Sequence, residues 1–105
     1  MNTKDEKRAH KRYPFREDIL IDGTKLCSST DICEGGLFVS AIQHFEENDV
    51  IEVTIPFRGA KIIVKAMIKY FQFGIGMGIM FIDLSEEQRA QIQELISSIT
   101  GPSQA

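Results

Sequence analysis

Apolar and polar residues alternate along most of this chain, and only after Leu84 does the period lengthen to that of a helix. Ile19 and Ile21 alternate with Leu20 and Asp22. The turn dipeptide Asp22-Gly23 follows, and Lys25 to Thr30 is expected to return as the partner strand of a hairpin. Ser28 to Gly36 is a polar stretch ending in two glycines, read as a corner that enters the apolar strand Leu37-Phe38-Val39. Gln43 to Asp49 is a polar connection. Ile51, Val53 and Ile55, separated by Glu52 and Thr54, predict a half-buried strand that Pro56 ends, and Arg58-Gly59 turns the chain. Ile62, Val64, Ala66, Ile68 and Tyr70 then share one face of a long strand, with Lys65 and Lys69 on the other.

Glycine recurs at every second residue in Gly74-Ile75-Gly76-Met77-Gly78, leaving one strand face bare and placing Ile75, Met77, Ile79 and Phe81 on the other. The bare positions are read first as admitting a neighbouring strand or the terminal helix. That helix is announced by the capping box Ser85-Glu86-Glu87-Gln88 and by Ile92, Leu95, Ile96 and Ile99 at helical spacing, and Gly101-Pro102 is expected to stop it. Several short strands and one terminal helix predict a small antiparallel barrel or sandwich, with the helix on one side or over an open end.

Charge changes this picture at one end. Residues 1–16 hold six cationic against two acidic side chains, a net +4, whereas residues 17–105 hold six against thirteen, a net −7. Within the basic arm, Arg8 and Arg12 are four residues apart. That spacing puts both guanidinium groups on one side, about 13 Å apart at Cα if extended or about 5–6 Å at Cβ if helical. Arginine's planar fork of donors suits phosphate oxygens and the O6/N7 edge of guanine, so the pair invites a phosphorylated or purine ligand, against the plainer alternative of a solvated basic tail. Tyr13-Pro14-Phe15 then makes a stiff, extended joint.

The remaining composition excludes more than it suggests. At 105 residues, 43% apolar and 26% charged, the chain reads as one soluble domain. No apolar run is long enough to cross a membrane, and the polar, charged first residues are not expected to act as a secretory leader, so a cytoplasmic location is expected. Cys27 and Cys33 are expected to be reduced thiols. With His10 and His44 they offer no metal-ligand spacing and no nucleophile–base pair, so no metal, cofactor or enzymatic activity is expected. The glycine string fails the G-x-G-x-x-G dinucleotide pattern at Ile79 and Phe81.

Three motifs in order, Arg8-x-x-x-Arg12, then Asp31-x-Cys33-x-x-Gly36 leading into Leu37-Phe38-Val39, then Gly76-x-Gly78-x-x-Phe81 before a short helix, resemble the PilZ domain family over nearly the whole chain. The resemblance implies a mainly β fold, a six-stranded antiparallel barrel with a C-terminal α-helix and a flexible basic N-terminal arm, serving as a bacterial receptor for cyclic di-GMP. The expected divisions are residues 1–14 as arm, 15–100 as barrel and helix, and 101–105 as tail. It implies that Arg8 and Arg12 take the ligand's phosphates and guanine Hoogsteen edges, while Asp31, Cys33 and Gly36 line the surface where a guanine docks. Lys7 adds charge beside the first arginine, and Gly35 and Gly78 are candidate contacts where a bare backbone lets a ligand approach. Cys33 departs from the family's serine, and its thiol is a weaker donor and acceptor than a hydroxyl.

The expected function is a cyclic di-GMP receptor whose arm closes on the nucleotide and changes the surface shown to a downstream protein partner. The alternative is a degenerate adaptor of the same fold that binds a protein without nucleotide, favoured by Cys33. Binding of RNA or single-stranded DNA through the arm is disfavoured by the acidic body, so no nucleic acid polymer and no membrane insertion are expected.

Overall fold

The computed structural model describes residues 11–41 and 43–100. Its elements are β1 (Tyr13–Pro14), β2 (Asp18–Ile21), β3 (Lys25–Cys33), β4 (Gly36–Ser40), β5 (Val50–Phe57), β6 (Ala60–Gln72), β7 (Gly76–Ile82) and a helix, α1 (Glu86–Thr100). Six strands form a closed antiparallel barrel in the order β3-β2-β5-β6-β7-β4, with β4 pairing back onto β3. The short β1 adds to the end of β3, Tyr13 opposite Ile32 and Pro14 opposite Asp31. Among the described residues, paired structure begins at Tyr13. The earlier arm, residues 1–10 with Lys7, Arg8 and His10, and the helix stop at Gly101-Pro102 lie outside the described residues.

The alternating pattern becomes the core. Ile19, Ile21, Val53, Ile55, Val64, Ala66, Ile68, Met77 and Ile79 all turn inward and are buried, joined from α1 by Ile92, Leu95 and Ile96. Each large aliphatic side chain so removed from water contributes about 1.5–3 kcal/mol. The expected capping box forms reciprocally: Gln88 N–H donates to Ser85 Oγ at 3.0 Å and Ser85 N–H donates to Gln88 Oε1 at 2.8 Å. The Arg58-Gly59 turn takes φ of 55° and 74°, the left-handed pair that a two-residue hairpin connection needs.

Several expectations are corrected. Ser28 to Cys33 is not a corner but a continuation of β3, and only Glu34 and Gly35 turn. Polar side chains are tolerated there because the one that points inward is satisfied: buried Ser29 Oγ donates to Phe15 O at 2.6 Å and accepts from Glu17 N–H at 3.0 Å, stapling β3 to the corner between β1 and β2. Pro56 does not end β5, which runs to Phe57. The β2 pairing stops at Thr54, so a residue without an N–H lies where only β6 is alongside. Ile75 sits in the β6–β7 turn and is exposed, and Ile99 at the end of α1 is only partly covered. The polar connection also hides an apolar plug, since Phe45 is buried with its ring against Phe71.

Two bulges break the alternation. In β3, Ser29 pairs with Val39 but Asp31 with Phe38, so Thr30 is an extra residue. In β6, Ile68 pairs with Ile79 but Tyr70 with Gly78, so Lys69 is extra. Each insertion reverses the side of every residue beyond it. Cys27 and Ser29 point in, whereas Asp31 and Cys33 point out. Tyr70, expected on the buried face, is 44% exposed, and Phe71 takes its place against the core.

Candidate functional site

The bulges bring the chemistry onto one outer face. Reading across hydrogen-bonded neighbours from β1 to β6, one row is Pro14, Asp31, Phe38, Gly78 and Tyr70, and the next is Cys33, Gly36, Met80 and Met67. Arg12, two residues before Pro14, reaches the same face. Apart from Pro14 and Met67, these residues line an open depression of about 170 Å3. It holds every described residue expected to contact the ligand, namely Arg12, Asp31, Cys33, Gly35, Gly36 and Gly78, whereas Gly76 and Phe81 of the third motif do not line it. Lys7 and Arg8 are outside the described residues.

Sequence reasoning missed Phe38, Lys69 and Tyr70, which line the same depression. Strict alternation had put Tyr70 in the core, and a bulge carries no signature that a period-2 count detects. Phe38 lay in the all-apolar run Leu37-Phe38-Val39, where periodicity does not distinguish inside from outside.

Charges at the site are held in reserve. Among the described residues, neither Arg12, Asp31 nor Lys69 has a side-chain hydrogen bond or ion pair. Asp31 in particular caps no turn, although it is half-buried in β3. A carboxylate in that position retains its full accepting capacity for a ligand donor. Arg12 beside β1 and Lys69 on β6 stand four strand spacings apart, about 19 Å along the curved sheet, so the depression has a cationic side chain on each rim and a carboxylate between. The volume is below the roughly 300–1,000 Å3 of pockets that enclose a small molecule. A nucleotide-sized ligand on this face would be covered on one side only.

The glycines serve the scaffold first. A Cβ on Gly36 would collide with the carbonyl of Ile79, so its bareness lets β4 and β7 close together. A Cβ on Gly78 would lie 2.8 Å from the Tyr70 ring, which folds over the bare position. Tyr70 also leans on Phe38, the ring centroids 6.1 Å apart and tilted by 41°.

The two thiols have separate surroundings. Cys33 faces the depression. Cys27 points into the barrel, and burial pushes its thiol up from the ordinary 9.0 because the thiolate would be poorly solvated there. Among the described residues no cluster of three or more His, Cys, Asp or Glu could hold a metal ion, and no helix is long and apolar enough to cross a membrane.

Comparison with known proteins identifies the family and the fold. The family model described as PilZ domain matches residues 6–98. The crystal structure of the PilZ domain of CeSA from a cellulose-synthesizing bacterium superposes with a TM-score of 0.66 at 21% identity, covering 85% of this chain and 97% of that one. The Bacillus subtilis inhibitor of motility, MotI/DgrA, superposes with a TM-score of 0.70 at 15% identity, covering 88% of this chain and 50% of that one. At these identities the two structures speak for the fold. No curated protein sequence matches significantly.

Proposed function

The chain belongs to the PilZ domain family, a family of cyclic di-GMP receptors, and on that premise we propose that it binds cyclic di-GMP on the outer face of β3, β4, β7 and β6 and relays binding to a protein partner. The observation that carries this reading is the unpartnered trio of Arg12, Asp31 and Lys69 around one depression. The ligand has two phosphates and two guanines. Arg12, with Arg8 from the arm, neutralises phosphate and forks to a guanine O6/N7 edge, and Asp31 accepts from guanine N1–H and N2–H. Cys33 supplies a weaker hydrogen bond than serine, which reduces affinity by up to about tenfold.

The depression covers only one side of such a ligand, so the other side falls to the arm. Two arginines that repel one another are drawn together by a dianion, and closure of the arm over the barrel creates the surface a partner reads. The receptor acts in the cytoplasm and performs no catalysis.

Titration calorimetry with cyclic di-GMP at near-physiological salt tests this. Saturable binding is expected that Arg8→Ala/Arg12→Ala and Asp31→Ala each remove and that Cys33→Ser strengthens. Absence of heat at about 100 μM ligand, where a Kd of that size corresponds to only about −5.5 kcal/mol, overturns the proposal. The adaptor that binds a protein without nucleotide, which the thiol of Cys33 at the motif hydroxyl position favours, would then lead.

A further inference from the structure

The motif residues Arg12, Asp31, Cys33 and Gly36 sit on the β1–β3–β4 side of the depression, and the opposite side is built by the β6 bulge beside Gly78. We propose that this bulge, Lys69–Tyr70, is the second wall of the nucleotide site, with Tyr70 the face on which one guanine stacks and Lys69 a cation for the phosphate beside it. This assignment rests on the receptor reading above and adds residues outside its three motifs.

Four observations carry it. The extra residue at Lys69 turns Tyr70 from the core to the outer face and leaves two consecutive side chains on that face. Tyr70 is 44% exposed near the end of β6 and lines the depression, so its ring is accessible to a ligand there. Its ring is held at an angle by Phe38 and by the bare backbone of Gly78, so one side is supported by protein and the other is open. Lys69 has no ion-pair partner among the described residues, whereas Lys65 on the same strand pairs with Asp83 at 3.7 Å. Purine bases stack on aromatic faces with little cost in ordering when the ring is already positioned. The lysine opposite Arg12 gives a ligand with two phosphates a cationic partner at both ends. A ring that only covers Gly78 for the sake of the sheet is the competing account, and the two differ in what a leucine does at this position.

The test uses the full chain and cyclic di-GMP. Tyr70→Leu keeps an apolar cover over Gly78 but has no π-face, and Tyr70→Phe keeps the ring. Expected are a loss of affinity of about tenfold or more for Tyr70→Leu and less than about threefold for Tyr70→Phe, with thermal unfolding of both near the parent. Lys69→Gln should weaken binding about three- to tenfold at low salt, with the difference shrinking as salt rises.

The chain has two tyrosines and no tryptophan, so tyrosine emission, corrected for nucleotide absorbance, reports the contact directly. Ligand should quench the parent, and Tyr70→Phe should bind with most of the quenching gone. Parent-like affinity in Tyr70→Leu, or full quenching in Tyr70→Phe, overturns the assignment while the receptor reading stands. No binding by the parent chain overturns both.

Discussion

The two sides of this barrel are built differently. The β5–β6 hairpin pairs residue for residue from Val50 opposite Met67 to Phe57 opposite Ala60 without a break, and its inward positions are uniformly aliphatic. The face made by β3, β4, β7 and the end of β6 has the same inner lining but carries both bulges. The regular side shows how period-2 alternation yields a core. The irregular side shows how a barrel places polar and aromatic groups on one outer patch without giving up that core, because a single added residue changes the side of everything after it. Stability should therefore be concentrated in the alternation, and recognition in its interruptions.

The largest break in that division should come from the regular side. Ile55→Ala, at a fully buried β5 position, is expected to cost about 2–5 kcal/mol in urea unfolding, while whatever protein remains folded binds cyclic di-GMP with parent affinity. A loss of affinity in the folded fraction would show that the two sides are coupled.

Gly36→Ala is the next in size and lies on the irregular side. The new methyl meets the carbonyl of Ile79, which is backbone and cannot swing away, so β4 and β7 must part at a cost of about 1–3 kcal/mol, again read by urea unfolding.

Gly78→Ala sharpens the comparison, because its methyl meets only the ring of Tyr70, an exposed side chain that can move. Stability should fall by less than about 1 kcal/mol, while calorimetry shows affinity reduced as the ring is displaced. Equal stability losses at residues 36 and 78 would contradict this account.

The smallest effect separates the two cysteines. They are six residues apart, and uninterrupted alternation would put both on one face, yet Cys27 is buried and Cys33 is on the outer surface because Thr30 lies between them as the extra residue. Mass spectrometry after mild alkylation of the native protein should find Cys33 modified well before Cys27. Burial raises the Cys27 thiol above its unfolded value, so its neutral form stabilises the fold fully below the ordinary 9.0 and that contribution is lost as pH rises through the higher folded value. Cys27→Ala should flatten the alkaline decline in stability.

The strands with clean alternation, the Arg58-Gly59 turn, the Ser85–Gln88 cap and the stripe Ile92, Leu95, Ile96 were all legible in the chain, since each depends on neighbours within a few residues. Motif spacing also located Arg12, Asp31, Cys33, Gly36 and Gly78, all of which line one depression. The extent of β3 through its polar half was not legible, because Ser29 is satisfied by Phe15 and Glu17 from a different part of the chain.

The order and period of the residues thus determined by themselves that this protein is a small antiparallel barrel or sandwich with a terminal helix and a charged N-terminal segment. Local conformational preference and the burial of every second side chain suffice for that. Only the tertiary structure decided which side of the sheet each residue beyond a bulge occupies. That choice depends on register between strands distant in sequence, where Thr30 and Lys69 find no partner opposite, and it is what brings Tyr70 and Lys69 to face Arg12 and Asp31 across one surface.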